Sequence, residues 1–330
     1  MTFSLFKRWA GLSAFALATV FSAVSHAQSG AQADTLKGPV KLIVGFPAGG
    51  SADIIARVMV DKLTASLGVP VVVENKPGAG GRIAGDLVKN ASADGSTIMV
   101  MPMGPMIIAP LAFSKLPYKP DVDFAPVAHL GKFHLMLAVG GNSPHRNLTD
   151  LVQAFKANPR TANYGTSAAG SQLHFLGTML GQATGIDMVH VPYQGGAPLM
   201  NDLMGGQVPA AIDTLAVDLH RAGKIKMLAT SGDKRSAFAP EVPTFREQGY
   251  LNVVGEGWFG AFVPKATPGA TVAKISAAMV AAMKSADIKS KMDGIGTEPT
   301  GLGAAEFAAI IAADQARWAP VVKASGFKGD

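Results

Sequence analysis

One order of elements occurs twice along the chain, and it constrains the fold more than any other feature: a short apolar run, a Gly/Ser-rich loop, then a stretch of helical period. Val40–Gly45 (VKLIVG) is a buried-strand run that stops at glycine. The loop FPAGGSAD follows, and Ser51–Leu67 places Ile54, Ile55, Val58, Met59 and Leu63 at helix spacing until Gly68 ends it. Val69–Glu74 is the next strand, NKPGAGG the next loop, Arg82–Lys89 the next helix and Thr97–Met101 a third strand. The order restarts with Thr161–Tyr164, the loop GTSAAGS and a helix over Ser171–Gln182. Asp187–Val191, the loop PYQGGAP, a helix over Pro198–Met204 and Val208–Ile212 continue it. This alternation predicts an α/β fold of two lobes, each a mostly parallel sheet flanked by helices, with right-handed crossovers.

Two stretches are long and apolar enough to join the lobes. Ala128–Val139 (AHLGKFHLMLAV) predicts one continuous strand crossing between them, and Gly257–Val263 (GWFGAFV) a second crossing. The last third is helical over Ala270–Lys284, Ala286–Met292 and Ala304–Lys323, and is expected to pack back on the first lobe. The resulting division is 28–136 for the first part of lobe 1, 137–257 for lobe 2, and 258–330 for the return to lobe 1. Loops at the strand C-termini would then face a shared cleft, the arrangement of a ligand clamp.

The N-terminus addresses the compartment. Lys7 and Arg8 precede the apolar stretch Trp9–Val24, and Ser25-His26-Ala27 has small residues flanking a variable one. That is the pattern of a secretory signal peptide, residues 1–27, cleaved after Ala27. Its loss removes two positive charges from a formal net charge of +6, and the remaining Lys and Arg are scattered, so nucleic acid is not an expected partner. At 48% hydrophobic and 16% charged, the 330-residue chain is too apolar for disorder. It has no cysteine, which excludes thiolate zinc sites, Fe–S clusters and Cys nucleophiles.

The loops carry the chemistry. In Phe46-Pro47-Ala48-Gly49-Gly50-Ser51, two glycines allow close backbone approach, and the following helix start offers unpaired N–H groups at its positive end. Gly165–Ser171 repeats the device in the second lobe with three hydroxyls added. Two such loops across a cleft suit a carboxylate or phosphate, whereas their ordinary role is helix capping. Asp53 and Arg57 form an i,i+4 pair that reads as structural support. No G-x-x-x-x-G-K-[ST] occurs, and the G-x-G-x-x-G match at Gly255, Gly257 and Gly260 precedes a strand rather than opening a helix. A serine hydrolase is the competing class, but Ser167 lies outside any G-x-S-x-G elbow, and His129, His134, His145, His174, His190 and His220 are dispersed. Neither catalytic residues, a metal nor a cofactor is expected. His134 lies on the crossing stretch, where it could face the cleft, and a partly buried histidine with a backbone partner is the plainer reading. Phe46, Phe133, Tyr193 and Met101, Met103 and Met106 could supply a flat apolar middle, or simply core.

The stretches KLIVGFPAGGSADIIAR, VVVENKPGAGG, DGSTIMV, LPYKPDVDFAPVA, NYGTSAAGSQLH, VPYQGGAPLMNDLMGGQV and AGKIKMLATSGDKRSAFAPEVPTFREQGY, with the Trp318 helix, resemble the tripartite tricarboxylate transporter substrate-binding proteins, the Bug receptors. The resemblance spans nearly the whole chain after the leader. It implies a periplasmic binding protein of the type II, Venus-flytrap kind, monomeric and not an enzyme. Such a receptor delivers an organic acid to a two-subunit inner-membrane permease. It also implies that Phe46, Ala48, Gly49, Gly50 and Ser51 hold one ligand carboxylate, largely through backbone amides and water. Thr166, Ser167 and Ala168 would form the second loop of the site, and Tyr193, Gly195, Asp213 and Thr214 its far wall. Lys132-Phe133-His134 and Met101–Met106, with Met103 among the expected ligand contacts, depart from the family pattern and bear on which di- or tricarboxylate binds, an aromatic dicarboxylate included. A sensor or co-receptor that binds the same ligand for signalling is the remaining alternative.

Overall fold

Every residue of β1 (Val40–Val44) except Lys41 is buried, as a strand covered on both faces requires. The computed structural model describes residues 36, 38–214 and 216–329, so the leader and its cleavage point lie outside the described residues. β1, α1 (Ser51–Leu67), β2 (Val71–Asn75), α2 (Arg82–Lys89) and β3 (Thr97–Pro102) make the first run, with β1 parallel to both β2 and β3. A π-helical turn at Gly104–Ile108 continues into α3 (Ala109–Ala112), and α4 (Pro120–Asp123) leads to β4 (Phe124–Phe133). A second run holds β5 (Leu135–Gly140), α5 (Leu148–Ala157), β6 (Asn163–Thr166), α6 (Gln172–Thr184), β7 (Val189–Pro192), α7 (Gly196–Met204), β8 (Ala211–Thr214), α8 (Val217–Arg221) and β9 (Ile225–Thr230). The chain closes with β10 (Gly257–Pro264), α9 (Gly269–Met283), α10 (Ala286–Asp293), β11 (Glu298–Gly303) and α11 (Ala304–Ser325).

These strands form two sheets, ordered β11-β4-β10-β3-β1-β2 and β7-β6-β8-β5-β9. Both are mixed, which corrects the expectation of mostly parallel sheets. In the first, β3–β10, β10–β4 and β4–β11 are antiparallel. In the second, β5 is antiparallel to β8 and β9. Parallel pairing is confined to strands joined through crossover helices, whereas β5 and β10 enter their sheets from the other one and run in the opposite direction.

The expected single strand over Ala128–Val139 is likewise two strands. The chain leaves the first sheet after Phe133 and joins the second at Leu135, with His134 between. The break has a bonding cause: the Leu135 N–H donates to Ser231 Oγ at 2.9 Å, and Leu135 O accepts from the Ser231 N–H at 3.0 Å. Ser231 in turn pairs with Gly255 through O and Oγ, at 3.0 and 2.8 Å. The second crossing is therefore the segment 231–256. Gly257–Val263, expected to cross, lies wholly in the first sheet as β10.

The C-terminal helices pack on the first sheet as expected, α9 against β4 and β11 and α11 against β4, but α11 also reaches α6. Trp258 Nε1 donates to Asp314 Oδ2 at 2.8 Å, tying β10 to α11. Beyond the helix, the Phe327 ring packs edge-on against His174 with centroids 5.2 Å apart. Among the described residues no helix is long and apolar enough to cross a membrane.

Candidate functional site

The first loop is braced from beneath. Asp53, only 2% exposed, accepts from the Gly49 N–H at 2.9 Å, from Arg57 Nε at 2.9 and 3.0 Å, and from Asn75 Nδ2 at 2.9 Å. Asn75 Nδ2 also donates to Phe46 O at 3.0 Å. Burial opposes the Asp53 charge, but the hydrogen bonds from Arg57, Gly49 and Asn75 outweigh it and hold the carboxyl below its ordinary value. The Asp53–Arg57 pair thus does support the structure, and it also fixes the shape of the loop. The Gly49 amide, expected to face a ligand, already has Asp53 as its acceptor. Among the described residues, the N–H groups of Ser51, Ala52 and Asp53, in the first turn of α1, have no backbone acceptor.

The second loop is braced by its hydroxyls. Thr166 is fully buried, and its Oγ1 lies 2.8 Å from His190 Nε2 and 3.2 Å from Ala168 O. Ser167 Oγ donates to Asp213 Oδ1 at 3.0 Å, and the same oxygen accepts from the Thr214 N–H at 2.8 Å. Burial raises the Asp213 carboxyl against these bonds. The Gly195 N–H donates to Ser167 O at 3.3 Å, the Tyr193 N–H to Thr166 O at 2.9 Å, and the Tyr193 hydroxyl to Asp202 Oδ2 at 2.9 Å. Ser171 caps α6: its Oγ accepts from the Leu173 N–H and donates to Ala168 O.

Two cavities lie where these loops meet. The larger, about 280 Å³, has Phe46, Arg82, Phe113 and Phe133 on one side and Ala168–Leu173 with Thr214 on the other. The smaller, about 80 Å³, is lined by Ser51, Phe133, His134, Thr214, Phe259 and Ile295–Thr297. Phe133 and Thr214 line both, so the two are neighbours. Of the residues expected at the site, Phe46, Ser51, His134, Ala168 and Thr214 reach a cavity wall. Ala48, Gly49 and Gly50 stand on the exposed loop. Thr166, Ser167, Tyr193, Gly195 and Asp213 form the bracing layer behind the second loop. Met103 is fully buried in the core, as are Met101 and Met106, and lines neither cavity. Sequence reasoning passed over Arg82, Phe113, Gln172 and Phe259. Arg82 follows the NKPGAGG loop and read only as the first residue of a helix.

His134 is 2% exposed, and its Nε2 lies 3.0 Å from Glu256 Oε1. Lys132 Nζ donates to the same oxygen at 2.8 Å. Burial opposes the Glu256 charge, yet the hydrogen bonds from His134 and Lys132, with the Lys132 charge, bring the carboxyl down to about 2. His134 Nδ1 is buried with no partner among the described residues. The plainer reading of this histidine, a buried ring with a backbone partner, is corrected: its partner is a carboxylate.

A sequence profile described as the tripartite tricarboxylate transporter family receptor matches residues 55–327. Protein BugT of Bordetella pertussis is 33% identical over 313 residues, spanning 94% of this chain and 96% of its own length. MatC from Rhodopseudomonas palustris, solved with bound malate, is 31% identical at a TM-score of 0.73, covering 86% of this chain and 99% of its own. An R. palustris protein solved with adipate is also 31% identical, with a TM-score of 0.77 and coverage of 88% and 98%. Profile, relatives and fold agree, and the chain belongs to the tripartite tricarboxylate transporter receptor family, the Bug proteins, whose members are periplasmic solute-binding receptors and not enzymes.

Proposed function

We propose that this protein is a periplasmic receptor that binds a small organic di- or tricarboxylate between its two sheets and hands it to a two-subunit inner-membrane permease. The single observation that carries the reading is the larger cavity, walled from both sheets by aromatic rings and by the backbone of the second loop. Its volume of about 280 Å³ falls near the lower end of small-molecule sites, roughly 300–1,000 Å³, and suits a compact acid. The relatives solved with malate and with adipate support the carboxylate class. In this reading one carboxylate sits in the smaller cavity, close to the free first-turn amides of α1, with Ser51, Thr214 and His134 around it. The apolar body of the ligand lies along Phe133 and Phe46. Contacts to both loops favour the closed arrangement by their differential free energy, so closure follows binding. The leader is removed after Ala27, leaving Gln28 as the first residue of a monomer.

The test is a thermal-shift screen of the purified protein against organic acids, amino acids and neutral sugars, followed by calorimetry. Carboxylates should raise the melting temperature in a concentration-dependent way by mass action. Stabilisation by sugars or amino acids and not by di- or tricarboxylates would refute the reading. Intact mass of periplasmic extract should give a chain starting at Gln28.

A further inference from the structure

Among the described residues, Arg82 is the one cation on the wall of the larger cavity. Its guanidinium carbon lies 4.3 Å from the centroid of the Phe113 ring. A guanidinium held over a ring at this distance is attracted by the ring's negative face, and its N–H donors remain available to an acceptor. Among the described residues Arg82 has no carboxylate partner and donates no hydrogen bond, although Arg57, Arg235, Arg246 and Arg317 are all in ion pairs. A half-buried guanidinium with idle donors, pre-oriented by a ring beside an apolar cavity, is matched to a planar anion that arrives with the ligand.

The rest of the wall says what that ligand looks like. Phe46, Phe113 and Phe133 are apolar, and among the described residues no Asp or Glu lines the larger cavity. Ser51, the first residue of α1, is on the wall of the smaller cavity, and Phe133 is common to both spaces. A ligand that reached from one to the other would need an anionic group at each end and an apolar spacer between. We infer that Arg82 selects dicarboxylates over monocarboxylates, by taking the second carboxylate of a ligand whose apolar spacer, flat or linear, lies against Phe133 and Phe46. The inference rests on the carboxylate-receptor reading above and adds to it the residue that counts the ligand's charges. The contact with the Phe113 ring restrains the Arg82 side chain, so less rotamer freedom is lost when the acid binds.

Calorimetry with matched acids tests this: terephthalate against benzoate and adipate against hexanoate, for the wild type, Arg82→Gln and Arg82→Lys. In the wild type each diacid should bind about tenfold to hundredfold more tightly than its monoacid, the range of a charge-assisted hydrogen-bonded pair. Arg82→Gln should erase that preference by weakening diacids far more than monoacids, while Arg82→Lys, with charge but no planar fork, should retain part of it. Unliganded melting temperatures of the variants check that the fold is intact. If Arg82→Gln keeps the wild-type diacid preference, or weakens monoacid and diacid equally, the selecting role of Arg82 is overturned and the receptor reading stands. If the wild type binds no acid at all, the receptor reading falls, and this inference with it.

Discussion

At the scale of single residues, close approach decides more than charge. Gly257 pairs with Phe133 across β10 and β4, and a Cβ on Gly257 would lie 2.2 Å from the Phe133 ring. Gly257→Ala must therefore displace a ring that lines both cavities, and should cost about 1–3 kcal/mol of stability, the usual range for overpacking. Urea denaturation measures the loss. The double variant with Phe133→Leu should recover much of it, because the smaller side chain leaves room for the methyl group. Strict additivity of the two substitutions would show that the ring is not what the methyl meets. Asp53 is a second case. Asp53→Ala would leave the Gly49 amide without its acceptor and Asn75 Nδ2 with Phe46 O alone, and should weaken ligand binding through the loop's shape, with a smaller change in melting temperature. Calorimetry beside thermal unfolding separates the two effects.

Among the elements, the crossings between the sheets hang on Ser231. Its Oγ accepts from the Leu135 N–H and donates to Gly255 O, and the residue is fully buried. Ser231→Ala strands a buried donor and a buried acceptor together, so a destabilisation of about 1–3 kcal/mol is expected, with faster hydrogen exchange at the Leu135 amide. Unchanged exchange there would show that the crossing is held by something else. These same segments mark where sequence stops being a guide. The β-α order of both halves was legible from periodicity and glycine stops, since a buried strand and an amphipathic helix announce themselves locally. The break at His134 was not, because apolar residues continue on both sides and only a side chain 96 residues beyond Leu135, that of Ser231, interrupts the ladder. β11 was missed for a different reason: Pro299, Gly301 and Gly303 weaken the strand signal, as an edge strand with a bulge tolerates. Of the site, the loops were readable and the wall was not. A run of methionines resembles a binding surface as much as a core, and Arg82 acquires its meaning only when Phe113 folds beneath it.

For the whole molecule, pH separates several contributions. Burial holds His129 and His190 down to about 4, with the charge of His174 adding to the effect at His190. Unfolded, both titrate near 6.5, so the unfolded chain takes up protons first and stability falls as pH drops from about 6.5 towards 4. Glu256, near 2 in the fold against 4.5 unfolded, adds a further loss between those values. Asp213 and Asp314, raised by burial, act in the opposite sense and soften the decline. Urea midpoints at pH 7, 5 and 3 should fall in that order, and His190→Gln should flatten the step between 7 and 5. A wild type equally stable at pH 7 and 5 would contradict the assignment. The interleaved sheets have a kinetic counterpart. All five strands of the second sheet lie within 135–230, whereas β4 of the first waits for partners as distant as Thr300, 171 residues beyond His129. Closing so large a loop is slow, so in refolding the second sheet should gather first. Trp258 and Trp318 both sit in the late-arriving portion, and their fluorescence should lag amide protection in 135–230. In time, then, the molecule is assembled from its middle outwards: the sheet that the chain begins is the one it finishes last.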